Sequence, residues 1–266
     1  MALMYGRRPP KNAPALRLAS FLSPTVPPHP AEEDYLATLT NWQMLGNDVV
    51  GDCNAVTWAN LRRLVTATLA TENYPTQAQV WQFYETQNPG FDPTGTKETN
   101  GPGSSHDQGM DVQTGLEYLH STGGPDGVKA VAFAKVDHAN MDEVQAALAI
   151  FGGLWLGVQV LVANQQEFAE GKPWTDVPGS PIDGGHAILG GGYGSDIKFI
   201  TWGKETEFDP SFWNGAEQGN PLVEEAWVVI WPEHLGSKSF AEGVDPVQLA
   251  ADYRALTGSA LVLPPS

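Results

Sequence analysis

The order of hydrophobic patterns along the chain constrains its fold more than any other feature. In the first half, apolar residues recur at helical steps of three and four from Cys53 to Leu69, and shorter helical patterns follow at 76–87 and from Val112. The second half is mainly strand-like, with one helix capped by Asn140. Its predicted strands are 128–136, 153–161, 184–194, 196–203 and 224–232. Helices followed by strands predict an α+β domain with a mostly antiparallel sheet.

The two ends of the chain differ in character from this central region. Residues 1–35 contain seven prolines and predict an extended arm. Its apolar residues could dock onto the domain, and its basic residues suit an acidic surface, although a solvated tail is the alternative. The apolar set is Leu16, Leu18, Phe21 and Leu22, and the basic set is Arg7, Arg8, Lys11 and Arg17. We therefore predict an arm at 1–35, a domain at 36–235 and a C-terminal region at 236–266. This last region contains a helix at 245–256 and ends without structure.

Composition excludes several classes of partner. With 31 acidic and 14 basic residues, the formal net charge of −17 repels phosphate backbones, so we expect no nucleic-acid partner. The sequence has no signal-peptide pattern and no apolar run long enough to span a membrane, which predicts a cytoplasmic protein, or a virion protein if a phage encodes it. A single cysteine excludes an internal disulfide, and no Cys/His spacing indicates a zinc site.

Cys53 is that single cysteine, and two interpretations compete for it. A free cysteine is commonly a small buried apolar residue, whereas a thiol at a helix start can be a nucleophile. Gly51 permits a tight turn and Asp52 is a suitable N-cap, so the thiol would lie in the first helical turn near unpaired N–H groups. The Asp52 carboxylate would raise the pKa of the thiol and oppose this activation.

An activated thiol also needs an imidazole, and His186 is the best candidate because it opens a strand after "DGG". A lone histidine on such a strand is more often a satisfied, partly buried residue. The chain offers His29, His106, His120, His138, His186 and His234.

The glycines of "GGHAILGGGYG" do not follow a phosphate-loop pattern, so we expect no cofactor and no metal. Asp107, Asp111 and Gln113 lie at a predicted helix start, where acidic residues usually complement the helix dipole.

Taken together, "NDVVGDCNA", "GGHAILGGGYG" and "FITWG" resemble the papain superfamily, including a branch of papain-like proteins found in bacterial and phage genomes. The resemblance covers roughly residues 40–232. It implies a papain-like fold whose nucleophile helix packs on the sheet. It also implies that Cys53 is the nucleophile, His186 its general base and Asn47 the oxyanion-hole donor.

The same resemblance assigns the surroundings of the site and shows where this chain departs from the family. Trp202 would shield the histidine, and Asp183 would lie beside it in the cleft. Thr201 or Ile200 stands where the family has asparagine; Thr201 could accept a hydrogen bond from the imidazole Nδ1–H, but more weakly than an amide oxygen. Asn47 is one methylene shorter than the family's glutamine. Residue 54 is asparagine instead of tryptophan.

Three functions follow as expectations. The first is a thiol hydrolase that cleaves a peptide or other amide through an acyl-enzyme, with a cleft walled by 88–108 and by the aromatic loop that contains Phe208, Phe212 and Trp213. The second is a non-catalytic interaction protein of the same fold, for example a phage virion component that binds protein partners through its arm. The third is acyl transfer with the same Cys–His dyad.

Overall fold

A computed structural model describes residues 3–23 and 29–263. Parts of the predicted arm and of the predicted unstructured C-terminus lie outside these ranges. The helices are α1 Leu18–Phe21, α2 Cys53–Leu69, α3 Gln77–Glu85, α4 Val112–Ser121, α5 Met141–Phe151, α6 Val162–Glu170, α7 Pro210–Trp213, α8 Lys238–Gly243 and α9 Pro246–Thr257. The strands are β1 Leu16–Arg17, β2 Glu33–Asp34, β3 Ala132–Val136, β4 Leu154–Leu161, β5 Ile182–Tyr193, β6 Ile197–Thr201, β7 Lys204–Phe208 and β8 Val223–Ile230.

Local sequence signals set the helix boundaries. Thr76 begins α3 with a capping box, Asp111 caps α4 through the Thr114 N–H, and Asn140 caps α5 as its sequence predicts. Gly152 ends α5 with a φ of 73°, a left-handed conformation that glycine adopts readily. These side chains satisfy N–H groups that a helix leaves unpaired, so the predicted starts agree with the structure.

One twisted sheet forms the centre of the molecule, in the order β1-β3-β8-β4-β5-β6-β7, with β2 paired to β5. Its pairings are antiparallel except for β1 with β3. The predicted α+β class with a mostly antiparallel sheet is therefore confirmed. The structure also contains α6 and β7, which the sequence patterns do not predict.

Alternating side chains of the sheet form two hydrophobic cores. On β4, Leu154 and Leu156 belong to the core that includes α5 and α8, while Trp155 belongs to the core that includes α2, α3 and α4. Helix α2 crosses over β5, so Ala187 and Leu189 of that strand pack in the second core with Cys53. This packing brings the start of α2 to the part of β5 that carries the predicted catalytic histidine.

The aromatic segment after β6 does not form a cleft wall, and this prediction is wrong. Strand β7 extends the sheet, and Phe208 stacks on Phe199 at 4.1 Å and on Phe212 at 4.7 Å between ring centroids. Phe208 and Phe212 are fully buried and Trp213 is 7% exposed. Aromatic rings stabilise the folded protein more when they are buried than when they line an open cleft. Here the three rings complete the first core.

The described part of the N-terminal arm lies on the domain. Leu16, Leu18 and Phe21 are buried, and β1 joins the sheet edge. Gln113 of α4 accepts a hydrogen bond from the Ala13 N–H at 3.1 Å, so its role is to hold the arm. A solvated tail is therefore excluded for residues 3–23. No helix in the described ranges has the length and apolarity required to cross a membrane.

Candidate active site

Cys53 is the first residue of α2, and its side chain is 1% exposed. Two nearby backbone N–H groups, those of Ala187 and Gly6, favour the thiolate. Burial has the opposite and larger effect, and Asp52 adds to it, so the pKa of the thiol is raised to about 12. The nearby Arg7 lowers it only in part. In this state of the molecule the thiol is protonated.

Asp52 occupies the N-cap position of α2 but its carboxylate makes no capping hydrogen bond, which corrects the predicted role. The carboxyl group is fully buried, and neither oxygen has a hydrogen bond that satisfies ordinary geometry. Burial, together with the charge of Asp107, raises the pKa of Asp52 well above its usual range, although the neighbouring Asn47 and Trp81 lower it. The backbone of this turn is held instead by Asp107, which accepts from the Gly51 N–H at 3.0 Å.

His186 lies on β5, one residue before Ala187, and is completely buried. Its Nε2 lies 2.7 Å from the Thr201 hydroxyl at the end of β6. Nδ1 was predicted from the sequence to make this contact, but Nε2 makes it instead. Nδ1 is buried and has no hydrogen-bond partner. Burial and the Arg7 charge lower the pKa of His186 to about 3, so the imidazole is neutral.

A tight turn places an indole ring on this imidazole. Trp202 and Gly203 join β6 to β7 with φ angles of 44° and 72°, the positive values of a two-residue type I′ hairpin. A left-handed conformation is unfavourable for tryptophan and is retained where the surroundings demand it. Here it stacks Trp202 on His186, with ring centroids 4.4 Å apart and planes 22° apart.

Asn47 and Ile200 are engaged in contacts other than those predicted for the catalytic site. The Asn47 side chain is 2% exposed and donates to the Val50 carbonyl oxygen at 3.2 Å, so its amide is committed to the turn before α2. The Cys53 N–H is at the first position of the helix, where no intrahelical acceptor exists, and it can serve an oxyanion. Ile200 packs in the second core, which leaves Thr201 as the partner of His186.

The site is closed by residues 4–7 of the arm, which we call the covering segment. Trp202 Nε1 donates to the Met4 carbonyl oxygen at 3.3 Å, and the ring of Tyr5 meets His186 edge-on at 5.7 Å. The Tyr5 hydroxyl donates to Asp183 at 2.8 Å, so Asp183 is one of the groups that hold this segment. The hydroxyl also accepts from Gln165 at 2.7 Å.

Gly6 is the closest point of the covering segment to the nucleophile turn. A Cβ at position 6 would lie 1.8 Å from the Gly51 carbonyl oxygen, so only glycine fits. Its own carbonyl oxygen accepts from the Met110 N–H at 2.7 Å, while the Arg7 N–H donates to the Gly185 carbonyl oxygen at 3.0 Å. The segment is therefore sandwiched between the loop before α4 and β5, directly over Cys53 and His186.

The sequence did not predict that the arm covers the site. The cluster of basic residues near Arg7 and the single glycine before it were the available signals, but neither identifies the surface on which they lie.

Asn54, which replaces the family's tryptophan, joins the two halves of the site: it accepts from Trp155 Nε1 at 3.1 Å and donates to the Met110 carbonyl oxygen at 2.8 Å. Within 3–23 and 29–263, no three His, Cys, Asp or Glu side chains cluster in a way that could hold a metal ion.

Comparisons with known proteins identify the fold. No protein-family model and no curated protein sequence matches the chain. Among solved structures, the chain is similar to xylellain, a cysteine protease from Xylella fastidiosa, with a TM-score of 0.63 and 14% identity over 86% of this chain and 96% of that one. It is also similar to procathepsin B S9 from Trypanosoma congolense, with a TM-score of 0.58 and 12% identity over 86% of each chain.

A third similar structure is the Carica candamarcensis cysteine protease CMS1MS2 in complex with E-64, with a TM-score of 0.50 and 14% identity over 76% of this chain and 98% of that one. Two of these three proteins are cysteine proteases, and the other is a procathepsin B. At these identities the similarity establishes the fold alone. The chain has a papain-like fold.

Proposed function

We propose that this chain is a papain-like thiol hydrolase of peptides or other amides, held in a covered state by residues 4–7. One observation supports the proposal most directly. Cys53 lies near the backbone N–H of Ala187, and the residue before Ala187 is a histidine whose Nδ1 is buried and has no hydrogen-bond partner. The first residue of α2 therefore lies next to the strand that carries the imidazole, and the solved structures of similar fold include cysteine proteases, which supports a Cys–His pair.

In the proposed reaction, Cys53 is the nucleophile and His186 transfers the protons. If His186 donates its Nε2–H to Thr201, the lone pair on Nδ1 can accept the Cys53 proton, and the thiolate attacks the carbonyl carbon of the substrate. The tetrahedral oxyanion accepts from the Cys53 N–H. The imidazolium then protonates the leaving amine, and an acyl-thioester remains. His186 next takes a proton from water, which attacks the thioester, releases the acid and restores the thiol.

The covered state is inactive for electrostatic reasons as well as steric ones. Burial raises the pKa of Cys53 to about 12 and lowers that of His186 to about 3, which disfavours a thiolate–imidazolium pair. Departure of residues 4–7 would let water reach both groups and would also remove the positive charge of Arg7, which lowers the pKa of His186. Activation therefore requires that the covering segment leave the cleft.

The experiment uses Gly6→Ala, which displaces the segment by a clash with Gly51 and alters no side chain of the site. Because the chain has one cysteine, intact mass after reaction with iodoacetamide or E-64 counts adducts at Cys53 alone. We expect Gly6→Ala to react about tenfold or more faster than the unchanged protein, and faster than a model thiol at neutral pH. Peptide hydrolysis is then measured in the same variant.

The matched control is Gly236→Ala, since a Cβ there meets nothing and should leave the rate unchanged. Cys53→Ala in the Gly6→Ala background should abolish the adduct. A Gly6→Ala protein that is folded, exposes its thiol and still reacts no faster than free cysteine would contradict the proposed hydrolase.

A second function is favoured by a different observation. Thr201 stands in place of an amide residue, the thiol and the imidazole are uncharged and covered, and backbone hydrogen bonds hold the arm at Arg7, Arg8 and Ser23. This arrangement suits a non-catalytic interaction protein that exposes its cleft or its arm to a protein partner. Fast alkylation without hydrolysis of any peptide in a diverse library would favour this alternative.

A further inference from the structure

A closed pocket beside the candidate nucleophile holds the side chain of Arg7, which has no solvent exposure. One terminal nitrogen donates to Glu225 Oε1 at 3.0 Å. The other donates to Glu224 and, at 3.4 Å, to the carbonyl oxygen of Val158. We call Gly157, Val158, Glu224 and Glu225 the arginine pocket.

The shape of this pocket depends on the absence of a side chain at Gly157. A Cβ there would lie 2.5 Å from Glu225 Cγ and 2.8 Å from Arg7 Cδ. Any larger residue at position 157 would fill the space that the aliphatic part of the arginine occupies. The glycine therefore admits a long side chain, and the carboxylates at the base select a planar cation with several donors.

The two carboxylates are positioned by groups other than Arg7. Glu225 accepts from the Trp227 indole N–H at 2.8 Å, and Glu224 accepts from the Gln159 amide at 3.0 Å. Glu225 is 1% exposed. Because β4 and β8 carry the groups that position both acids, the geometry of the pocket does not depend on Arg7 alone. A pocket of this kind recognises cations instead of merely adapting to one.

The covering segment binds its neighbours through its backbone, which any extended peptide can imitate. The Arg7 N–H donates to Gly185, and Met110 pairs with both sides of this residue: its N–H donates to Gly6 and its carbonyl oxygen accepts from the Arg8 N–H at 2.9 Å. Two side chains add specificity: Tyr5, through its contacts with Asp183 and His186, and Arg7, which is the only charged residue of the segment. The Arg7 Nε has no acceptor, unlike that of Arg62 in the folded core, whose Nε donates to Asp126. Arg7 thus resembles a removable occupant more than a core residue.

We propose that the arginine pocket is a specificity pocket, so that the preferred ligands of the cleft are peptides that carry an arginine next to the bond held at Cys53. This inference rests on the proposed function only where it treats such a peptide as a substrate. Binding of the peptide in the cleft does not require catalysis. Residues 5–8, with the sequence Tyr-Gly-Arg-Arg, are the ligand that the chain itself supplies.

The test measures binding in full-length Gly6→Ala/Cys53→Ala, in which the cleft is open and no bond can be cleaved. The probes are fluorescent acetyl-Tyr-Gly-Arg-Arg-amide and the same peptide with citrulline, an uncharged isostere, in place of its first arginine. We expect the arginine peptide to bind about tenfold or more tightly, since charge-assisted hydrogen bonds are lost in the other. Glu225→Gln should abolish the difference, whereas Glu117→Gln, which removes an exposed acid paired with Lys11, should not.

A second measurement remains decisive if Gly6→Ala does not open the cleft. In full-length Arg7→Ala the pocket is empty, and acetyl-argininamide should raise the melting temperature whereas acetyl-citrullinamide should not. Equal effects of the two amides, or equal binding of the two peptides, would overturn the pocket. Selective binding without hydrolysis would overturn only the proposed function, and hydrolysis without arginine preference would overturn only the pocket. Binding that needs a second copy of the chain, seen as dimers, would also overturn it.

Discussion

The two ends of helix α2 use the same kinds of residue in opposite ways. We call the second half of this helix and its neighbours the far end. There, Arg62 donates to Asp126 at 2.8 Å and to both oxygens of Glu233, at 3.1 and 2.8 Å, and its guanidinium group lies over the ring of Trp231. His234 accepts from the Trp231 N–H at 3.0 Å and lies 3.1 Å from the Phe151 carbonyl oxygen. Both imidazole nitrogens of His234 and all three guanidinium nitrogens of Arg62 therefore have a partner, whereas the indole nitrogen of Trp231 has none.

At the near end, the corresponding groups are only partly satisfied. Arg7 Nε, His186 Nδ1 and both carboxyl oxygens of Asp52 are buried without a hydrogen-bond partner. A buried polar group without a partner costs about 1–3 kcal/mol, and such groups are concentrated where a protein serves function at the expense of stability. Arg62 and His234 are therefore fully engaged in the fold, whereas the unpaired groups of Arg7, His186 and Asp52 are the ones that the proposed ligand exchange would use.

The largest expected effect separates the two arginines. Arg62→Ala leaves Asp126 and Glu233 without their cation, and we expect a loss of about 3–5 kcal/mol in the free energy of unfolding. Arg7→Ala should cost only about 1–2 kcal/mol, since the covering segment can leave and water can solvate Glu224. Urea denaturation of both variants measures the difference. Equal losses would mean that the covering segment is part of the folded core.

The second effect separates the two histidines. In the Gly6→Ala background, His186→Ala should slow alkylation of Cys53 about 100-fold, because the thiol loses its base. His234→Ala removes an equally buried imidazole and should change that rate less than about threefold, although the protein becomes less stable. Iodoacetamide kinetics followed by intact mass compare them. The contrast between the two ends breaks down if both variants slow the reaction equally.

The third effect is a pH dependence. Burial lowers the pKa of His186 to about 3 and that of His234 to about 4, both below the unfolded value of about 6.5. The unfolded chain therefore binds protons first, and stability is full above about pH 6.5 and falls by about 1.4 kcal/mol per unit and per histidine as the pH drops. The raised pKa values of Asp52 and Glu225 act in the opposite direction.

Difference curves isolate each histidine from these acids. Subtracting the unfolding free energies of His234→Gln from those of its parent should leave a slope of about 1.4 kcal/mol per unit between pH 6.5 and 5, whether or not position 6 is Gly. For His186→Gln the slope should shrink in the Gly6→Ala background, because water then reaches the imidazole. An unchanged His186 slope would show that the covering segment does not control its pKa.

The smallest effect concerns the hydroxyl that holds the imidazole. Thr201→Val keeps the shape but removes the acceptor at His186 Nε2, and should slow alkylation in the Gly6→Ala background by about tenfold or less, equivalent to about 1 kcal/mol. Thr66→Val removes a buried hydroxyl at the far end, where it donates to the Arg62 carbonyl oxygen at 2.7 Å, and is the matched control. A slower reaction in the control alone would reverse the assignment.

Sequence patterns predicted the elements that local physics determines. The starts of α2 and α5 follow from Gly51 and Asn140, and β4 and β8 follow from their continuous apolar runs. Strand β7 was missed because its residues are polar on both faces until Phe208. The following aromatic residues then suggested a loop, since a sequence does not reveal that they stack on one another.

The candidate site was only partly predictable for a different reason. Cys53, His186 and Trp202 were selected by their motifs, but the covering segment depends on contacts between distant parts of the chain. Arg7 and Glu225 are 218 residues apart in sequence, and no local periodicity links them. Likewise, the choice of Nε2 over Nδ1 as the atom that meets Thr201 depends on how β5 and β6 are paired.

Gly6 gives the covered state an evolutionary property. Every single-base change in the first or second position of a glycine codon introduces a side chain or a stop, and any Cβ at this position collides with the Gly51 carbonyl oxygen. The closed form is thus one nucleotide away from being lost, whereas a change at an exposed position of the arm such as Lys11 causes no such clash. If residues 4–7 close the cleft as proposed, any such change at Gly6 would expose the thiol permanently.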